Sequence, residues 1–517
     1  MRLVRIPASF LSPRIAAALL ALLLAGCSQL PPLANRTQSV ALQDTAGTPL
    51  GSALQPLVAA HPGRSGILPL ANGHDAFAAR VRLAEAAQRS LDLQYYIWRN
   101  DVTGAMLFEA VRRAADRGVR VRLLLDDMNT GTLDAVLAAL DAHDNIEVRL
   151  FNPFAHRGLR AVDYLTDFRR VNRRMHNKSF TADNQVTVIG GRNIGDEYFD
   201  AGAGVLFVDL DVLAVGPVVP QVSRDFDRYW ASASAYPLAG LLPAVTLAEG
   251  WRAPPSVTES PAARAYREAV ERSRFVADLV AGQLAFEWAP VVMVSDDPAK
   301  ALGRAAADDL LWRQLQQAMP PGAREVQLVS PYFVPTQRGT EWFTALAARG
   351  VQVSVLTNAL EATDVPAVHS GYARWRKPLL AGGVRLYEMK AAAAPPRGRE
   401  GGSGLAGSST ASLHAKTFAV DRQRVFIGSF NFDPRSARLN TELGFIVESP
   451  RMAGAMADAF AKSVPQRSYV LRLEDGELRW VEQVGSETRV HAEEPNAGVW
   501  KRLGVWFLSL LPIEGLL

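Results

Sequence analysis

The apolar and polar positions of the chain fall into two stretches that repeat one another. In the first half, Leu91-Asp92-Leu93-Gln94-Tyr95-Tyr96-Ile97-Trp98 has the alternation and aromatic content of a strand. It leads into a helical stretch from Gly104 to Asp116, then a second strand from Val119 to Leu125. In the second half, Val326-Gln327-Leu328-Val329-Ser330-Pro331-Tyr332 is followed by a helical stretch, Thr340 to Ala348, and a strand, Val351 to Leu356. Strand, helix and strand at this spacing predict a βαβ unit with parallel strands in each half.

A second pair of blocks sharpens the repeat. Met175-His176-Asn177-Lys178-Ser179-Phe180 turns at Asp183-Asn184 and returns through Val186 to Ile189 into Gly190-Gly191-Arg192-Asn193. Its partner is Leu413-His414-Ala415-Lys416-Thr417-Phe418, turning near Asp421 and returning through Val425 to Ile427 into Gly428-Ser429-Phe430-Asn431. The His, Lys, Asp, Gly and Asn positions recur at one constant offset, the mark of an internal duplication. The predicted fold is α/β: two duplicated lobes, each a mixed sheet flanked by helices. The lobes are expected at residues 75–230 and 321–497. Residues 28–74 read as an N-terminal linker and 231–320 as a connection, rich in Ala, Pro and Ser from 231 to 263 and helical near 262 to 286. The Gly/Ser/Pro-rich stretch Ala391 to Ser412 reads as a surface insertion bordering the second motif.

Composition adds limits. At 517 residues, 48% apolar and 21% charged, the chain is globular and too long for one ordinary core. The net charge is only +4, but the pI is about 9.2 and Arg greatly outnumbers Lys. Arg is the planar, bidentate partner of phosphate, so an anionic substrate or membrane surface is compatible with the chain. Cys27 is the one cysteine, which excludes an intramolecular disulfide. It closes Leu24-Ala25-Gly26-Cys27, after Arg2, Arg5 and an apolar run, Ile15 to Ala25, too short to span a bilayer. That pattern resembles a bacterial lipobox. Residues 1–27 are expected to be a signal peptide ending at a lipidated Cys27, placing the protein in the cell envelope, facing the periplasm. At the other end, residues 498–517 form an apolar segment. Trp500-Lys501-Arg502 precedes Leu503 to Leu511, a run also too short to span. It suits a membrane interface, or equally a terminal helix packed on the core.

The repeated motif carries the chemistry. On a strand, residues two apart share a face, so His176 projects with Lys178 and His414 with Lys416. Two imidazoles can supply a nucleophile and an acid for a phosphodiester, and two ammonium groups can hold its equatorial oxygens. This needs no metal. Asn193 and Asn431, after glycines that allow close approach, add donors, and Ser429 can assist. Aligning Val208-Asp209-Leu210-Asp211 with Thr441-Glu442-Leu443-Gly444 pairs Asp209 with Glu442. These carboxylates are the expected acceptors that orient the two histidines. Asp183 and Asp421 sit at turns and read as supporting residues. Arg169, Arg170, Arg173 and Arg174, just before His176, read as a solvated charged face or as a grip on phosphates.

The two H-x-K-x-x-x-x-D blocks, each followed by G-G/S-x-N, resemble those of the phospholipase D superfamily. The flanks Leu91–Trp98, Val121–Asn129, Val329–Pro335 and Ala367–Arg374 are similar to bacterial cardiolipin synthases, in particular their C-type branch. The resemblance runs from about Asp75 to the C-terminus. It implies two phospholipase D-like lobes sharing one central active site, no metal or other cofactor, and a phosphohistidine intermediate. His176 would be the nucleophile and His414 the acid. A phospholipid substrate and a membrane surface are the expected partners, and phosphatidyl transfer to a second phospholipid is the expected reaction. A phospholipase D hydrolase or a metal-independent periplasmic nuclease would use the same residues, with nucleic acid the less favoured partner. No oligomeric state follows from the sequence. One departure stands out: a lipobox occupies the place of the transmembrane helices common in the familiar synthases.

Overall fold

The computed structural model describes residues 30–34, 36–199, 206–243, 259–320, 322–391 and 411–517. Cys27 and most of the 391–412 insertion lie outside these residues, as does much of the 231–263 stretch.

The duplicated blocks build two mixed sheets with one shared order. In the first, the central run is Asp211–Val215, Val186–Gly190, Ser179–Ala182, Ser90–Tyr95, Arg120–Asp126 and Ile146–Phe151. In the second it is Leu443–Val447, Arg424–Gly428, Lys416–Val420, Glu325–Val329, Gln352–Asn358 and Arg385–Met389. The last three strands of each run are parallel, and the others pair antiparallel. The βαβ units arise as expected, with helices Val102–Asp116 and Thr336–Ala348 as crossovers. Asp101 caps the first of these by accepting from the Gly104 amide.

Three stretches outside the repeat join the sheets. Residues 28–74 do not simply link: Ser65–Leu70 is a strand lying between Asp211–Val215 and Glu287–Ala289 in the first sheet. Its Gly and Pro hide the strand pattern. Pro69 is tolerated because only the Asp211–Val215 side pairs at that position. The connecting region is likewise divided between lobes. Ala235–Pro237 and Glu287–Ala289 form the edges of the first sheet, and Val291–Ser295 is an edge of the second. Three antiparallel strands, Ser468–Glu474, Glu477–Val484 and Glu487–His491, extend the second sheet beyond the duplicated pattern.

Each lobe has its own core, around Leu93, Phe108 and Leu123 in one and around Val353, Val355 and Phe343 in the other. A third apolar cluster draws on both. Ile189, Val212 and Ala214 of the first sheet pack with Ala419, Val425, Ile427, Leu443 and Phe445 of the second. The lobes therefore meet through buried apolar faces of their antiparallel halves, and the motif residues lie where the two meet.

Candidate active site

The chain enters each motif by pairing with the opposite lobe. Met175 bridges Thr441, the His176 amide donates to the Thr441 carbonyl at 2.8 Å, and the Thr441 amide donates to the Arg174 carbonyl at 2.9 Å. In the related half, Ala411–Leu413 pairs in parallel with Leu206–Val208, and the His414 amide donates to the Val208 carbonyl at 2.8 Å. Within each lobe, the sheet strand starts only after the histidine, at Ser179 and at Lys416. The residues after Val208 and Thr441 are Asp209 and Glu442, so the pairing crosses the carboxylates between lobes. His176 Nδ1 lies 2.8 Å from Glu442 Oε2, and His414 Nδ1 lies 2.5 Å from Asp209 Oδ2.

Both carboxylates are fixed on their far sides. Glu442 accepts from Ser429 Oγ at 2.5 Å and from Ser436 Oγ at 2.8 Å, and its amide donates to Asp296 at 2.9 Å. Asp209 accepts from the Leu210 amide at 2.7 Å. A Cβ on Gly191 would stand 2.1 Å from Asp209 Oδ1, so only glycine fits there. The equivalent position in the other lobe is Ser429, which faces the glutamate as a hydrogen-bond donor. Where the loop has a side chain, it bonds the carboxylate; where it has none, the shorter aspartate fills the space.

His176, His414, Lys178, Lys416, Asn193 and Asn431 are all buried. Lys178 Nζ donates to the His176 carbonyl at 2.6 Å, and Lys416 Nζ to that of His414. Each lysine is thereby held beside its own histidine. Asn193 Oδ1 accepts from the Ile97 amide at 3.1 Å, whereas Asn431 Oδ1 has no hydrogen-bond partner in the structure. Two tyrosines flank the histidines. Tyr96 stands edge-on to His176 at 5.0 Å and Tyr198 edge-on to His414 at 5.3 Å. Tyr332, whose hydroxyl donates to Asp364 at 2.7 Å, lies near both of these tyrosines.

The electrostatics differ between the two pairs. Burial, together with Lys178, Lys416 and His414, pushes His176 well below its ordinary value, so its imidazole is neutral at pH 7. Burial pushes its partner Glu442 up to about 7, against the pull of Lys178 and the bonds from Ser429 and Ser436. His414 is also lowered by burial and Lys416, but Asp209 works in the other direction. Burial opposes ionisation of Asp209; the charge and hydrogen bond of His414, with Lys416 and Arg192, outweigh it and hold the carboxyl well below the usual range. The firmly ionised Asp209 offsets part of the lowering at His414, a support that Glu442, itself pushed up, gives His176 to a lesser degree. Burial lowers Lys178 to about 7 and Lys416 to about 8.

The motif aspartates stand apart from this cluster. Asp183 accepts from the amides of Gln88, Arg89 and Ser90 at 2.7–3.0 Å, and Asp421 from those of Arg324 and Glu325 at 2.6 and 3.0 Å. Both lie in the left-handed region at hairpin turns, with φ of 52° and 53°. The four arginines divide. Arg174 is fully buried, paired with Asp126 at 2.9 Å and bonded to the Asn152 carbonyl. Arg170 pairs with Asp167 at 2.5 Å and donates to Pro153, and only Arg169 is exposed. The cluster thus braces the approach to His176 rather than forming one solvated face. Neither the tyrosines beside the histidines, nor Ser436, nor Asp296 behind Glu442 is marked by any pattern in the chain. Tyr96 lies in a strand end already singled out, but nothing in the pattern turns it toward a histidine.

Comparison with known proteins supplies the family. The model for the family described as cardiolipin synthase, PLD-like domain, matches residues 81–230 and 311–464. The chain is similar to cardiolipin synthase C of Escherichia coli K12, with 49% identity over 474 residues, covering 90% of this chain and 99% of the relative. It is 31% identical over 477 residues to an uncharacterized protein of Helicobacter pylori, covering 90% and 92%. Among solved structures, phosphatidylserine synthase of Haemophilus influenzae shares the fold, with a TM-score of 0.51 at 14% identity over 82% of this chain and 92% of that one. Two copies of one sheet order, a motif repeated in each and the family match across both lobes agree: the chain belongs to the cardiolipin synthase family of PLD-like enzymes.

Proposed function

We propose that the protein is a phosphatidyltransferase that makes cardiolipin from phosphatidylglycerol and a second phospholipid through a phosphohistidine intermediate. The observation that carries the reading is the crossed pairing of two buried histidines, each with a carboxylate of the opposite lobe and a lysine beside it. In the first step, neutral His176 Nε2 attacks the donor lipid's phosphorus as the bond to its headgroup oxygen, glycerol or ethanolamine, breaks. His414, protonated and backed by Asp209, donates its proton to that leaving oxygen. In the second step, a glycerol hydroxyl of an acceptor phosphatidylglycerol gives its proton to His414. Its oxygen then attacks phosphorus, and the bond to His176 breaks. Lys178 and Lys416 bear the charge on the non-bridging oxygens, and Asn193 and Asn431 bind near them. Glu442 and Asp209 orient the rings. With this set of groups the reaction requires no metal, so EDTA leaves turnover unchanged.

The similarity to cardiolipin synthase C favours lipid as acceptor over water or nucleic acid. The test gives the purified protein labelled phosphatidylglycerol, with and without phosphatidylethanolamine. Cardiolipin that vanishes in both His176→Ala and His414→Ala supports the proposal. Phosphatidic acid alone, still dependent on His176, would make the enzyme a phospholipase D. Restoration of an EDTA-treated enzyme by zinc or magnesium would count against the route described. The envelope location rests on the lipobox: acyl labelling lost in Cys27→Ser is the expected result, and unchanged labelling removes the anchor from the proposal.

A further inference from the structure

Among the described residues, the exposed Phe and Trp side chains are Phe168, Trp500, Trp506 and Phe507. They belong to two segments far apart in the chain. Leu159 and Leu165 are exposed beside Phe168, and Val499, Leu503 and Leu510 beside the others. Exposed apolar groups gathered in this way call for a partner. We propose that helix Val499–Ser509 and the segment 157–171 together form one face that lies on an anionic phospholipid bilayer, with the entrance to the His176/His414 site between them. This rests on the phospholipid reading above and adds how the enzyme meets its substrate.

The helix is held firmly on one side only. Lys501 donates to the Thr363 carbonyl at 3.4 Å, Arg374 to that of Ser509, and Trp375 to Glu514 at 2.6 Å. Val505 is buried against the lobe. Positions 499, 500, 503, 506, 507 and 510, three or four apart, leave a continuous apolar stripe facing outward. At 11 residues the helix is too short to cross a bilayer, and no described helix is long and apolar enough to do so. Its length and its stripe fit a helix lying in the interface, with Trp at headgroup depth.

Arg435 ties together the chain just beyond each segment. Its guanidinium donates to the Leu516 carbonyl at 3.1 Å and to the Asn172 carbonyl and Oδ1 at 3.0 and 2.6 Å, and its amide donates to the Leu517 carbonyl at 2.8 Å. Each segment also touches the shell of the site. Tyr164 donates to Met128 Sδ at 3.1 Å and Arg160 to the carbonyls of Asp127 and Met128 at 2.8 Å. The next residue, Asn129, bonds the Tyr96 side chain that faces His176. On the other flank, Lys501 reaches Thr363, next to the Asp364 that holds Tyr332.

Charge selects the occupant. The helix carries Lys501 and Arg502 and no acidic residue, and in the other segment Arg169 is exposed beside Phe168, while Arg157, Arg160, Arg170 and Arg174 are taken up by carboxylates of the lobe. An apolar stripe edged by cations complements anionic headgroups above acyl chains, worth more than either feature alone.

The experiment uses the full-length protein, with whatever anchor it carries, on phosphatidylglycerol vesicles doped with brominated phosphatidylcholine. Bromine quenching of Trp fluorescence is expected, with a smaller quenched fraction in Trp500→Phe and in Trp506→Phe. In all-phosphatidylcholine vesicles the quenching should be weaker. The variant Trp500→Ser/Trp506→Ser/Phe507→Ser should lose at least about tenfold in turnover on vesicles. It should keep turnover within about twofold on short-chain phosphatidylglycerol dispersed as monomers. Absence of quenching attributable to Trp500 or Trp506 overturns the proposal, and that measurement does not depend on the triple variant folding. So does equal loss on both substrates by a folded variant, or a shift from a multimer to a monomer with vesicle turnover intact, which would assign the face to a second copy. Failure of the unsubstituted protein on both lipid forms would instead strike the phosphatidyltransfer reading.

Discussion

At the level of single residues, the site's character comes from burying charges that the chemistry needs. Lys178 and Lys416 sit at about 7 and about 8 because burial penalises their ammonium forms. Under the proposed mechanism they work only when charged. Turnover should therefore fall as pH rises through 7 to 8, read from kcat/KM against pH. The same shift costs stability. Native Lys178 releases its proton near 7 and the unfolded residue near 10.5, so between those values the unfolded chain binds more protons and stability rises with pH. At pH 6 to 7, Lys178→Met should abolish turnover yet raise Tm by about 1 °C, the response expected of a chain this long for about 1 kcal/mol. Gly191→Ala probes the opposite risk. The added methyl meets Asp209 Oδ1 at 2.1 Å and must push it from His414, so turnover should fall about a hundredfold with the fold retained by circular dichroism.

At the level of elements, the repeated alternation revealed the strands, but their starting points depend on partners the pattern does not contain. His176 and Lys178 read as strand neighbours, yet the sheet begins at Ser179 because the His176 amide is taken by Thr441 of the other lobe. The strand Ser65–Leu70 escaped notice because Gly66 and Pro69 break its signature and its neighbours come from distant sequence. The hairpin aspartates hold elements together: Asp183 ties the turn after its strand to the start of Ser90–Tyr95 through three backbone amides. Asp183→Ala should destabilise by about 1–3 kcal/mol in urea titration, because those buried donors lose their acceptor. Turnover per folded molecule should change far less than for either histidine.

At the level of the whole molecule, the crossed pairs bind the two lobes to each other at the candidate site. Double-mutant cycles on stability should find coupling of about 0.5–3 kcal/mol between His176→Ala and Glu442→Gln, and between His414→Ala and Asp209→Asn. The within-lobe combination, His176→Ala with Asp209→Asn, should be closer to additive. The sequence alone determined the duplication, the sheet class and the residues of both motifs, because local alternation and a repeated spacing are written directly in the chain. It also paired Asp209 with Glu442 as equivalent positions. It did not reveal that each serves the other lobe's histidine, or that a tyrosine stands edge-on to each ring. Nor did it show that Arg435 ties the chain after residue 171 to the C-terminal residues. Those relations depend on how the antiparallel faces of the two sheets pack, and that packing is set by contacts between residues hundreds of positions apart.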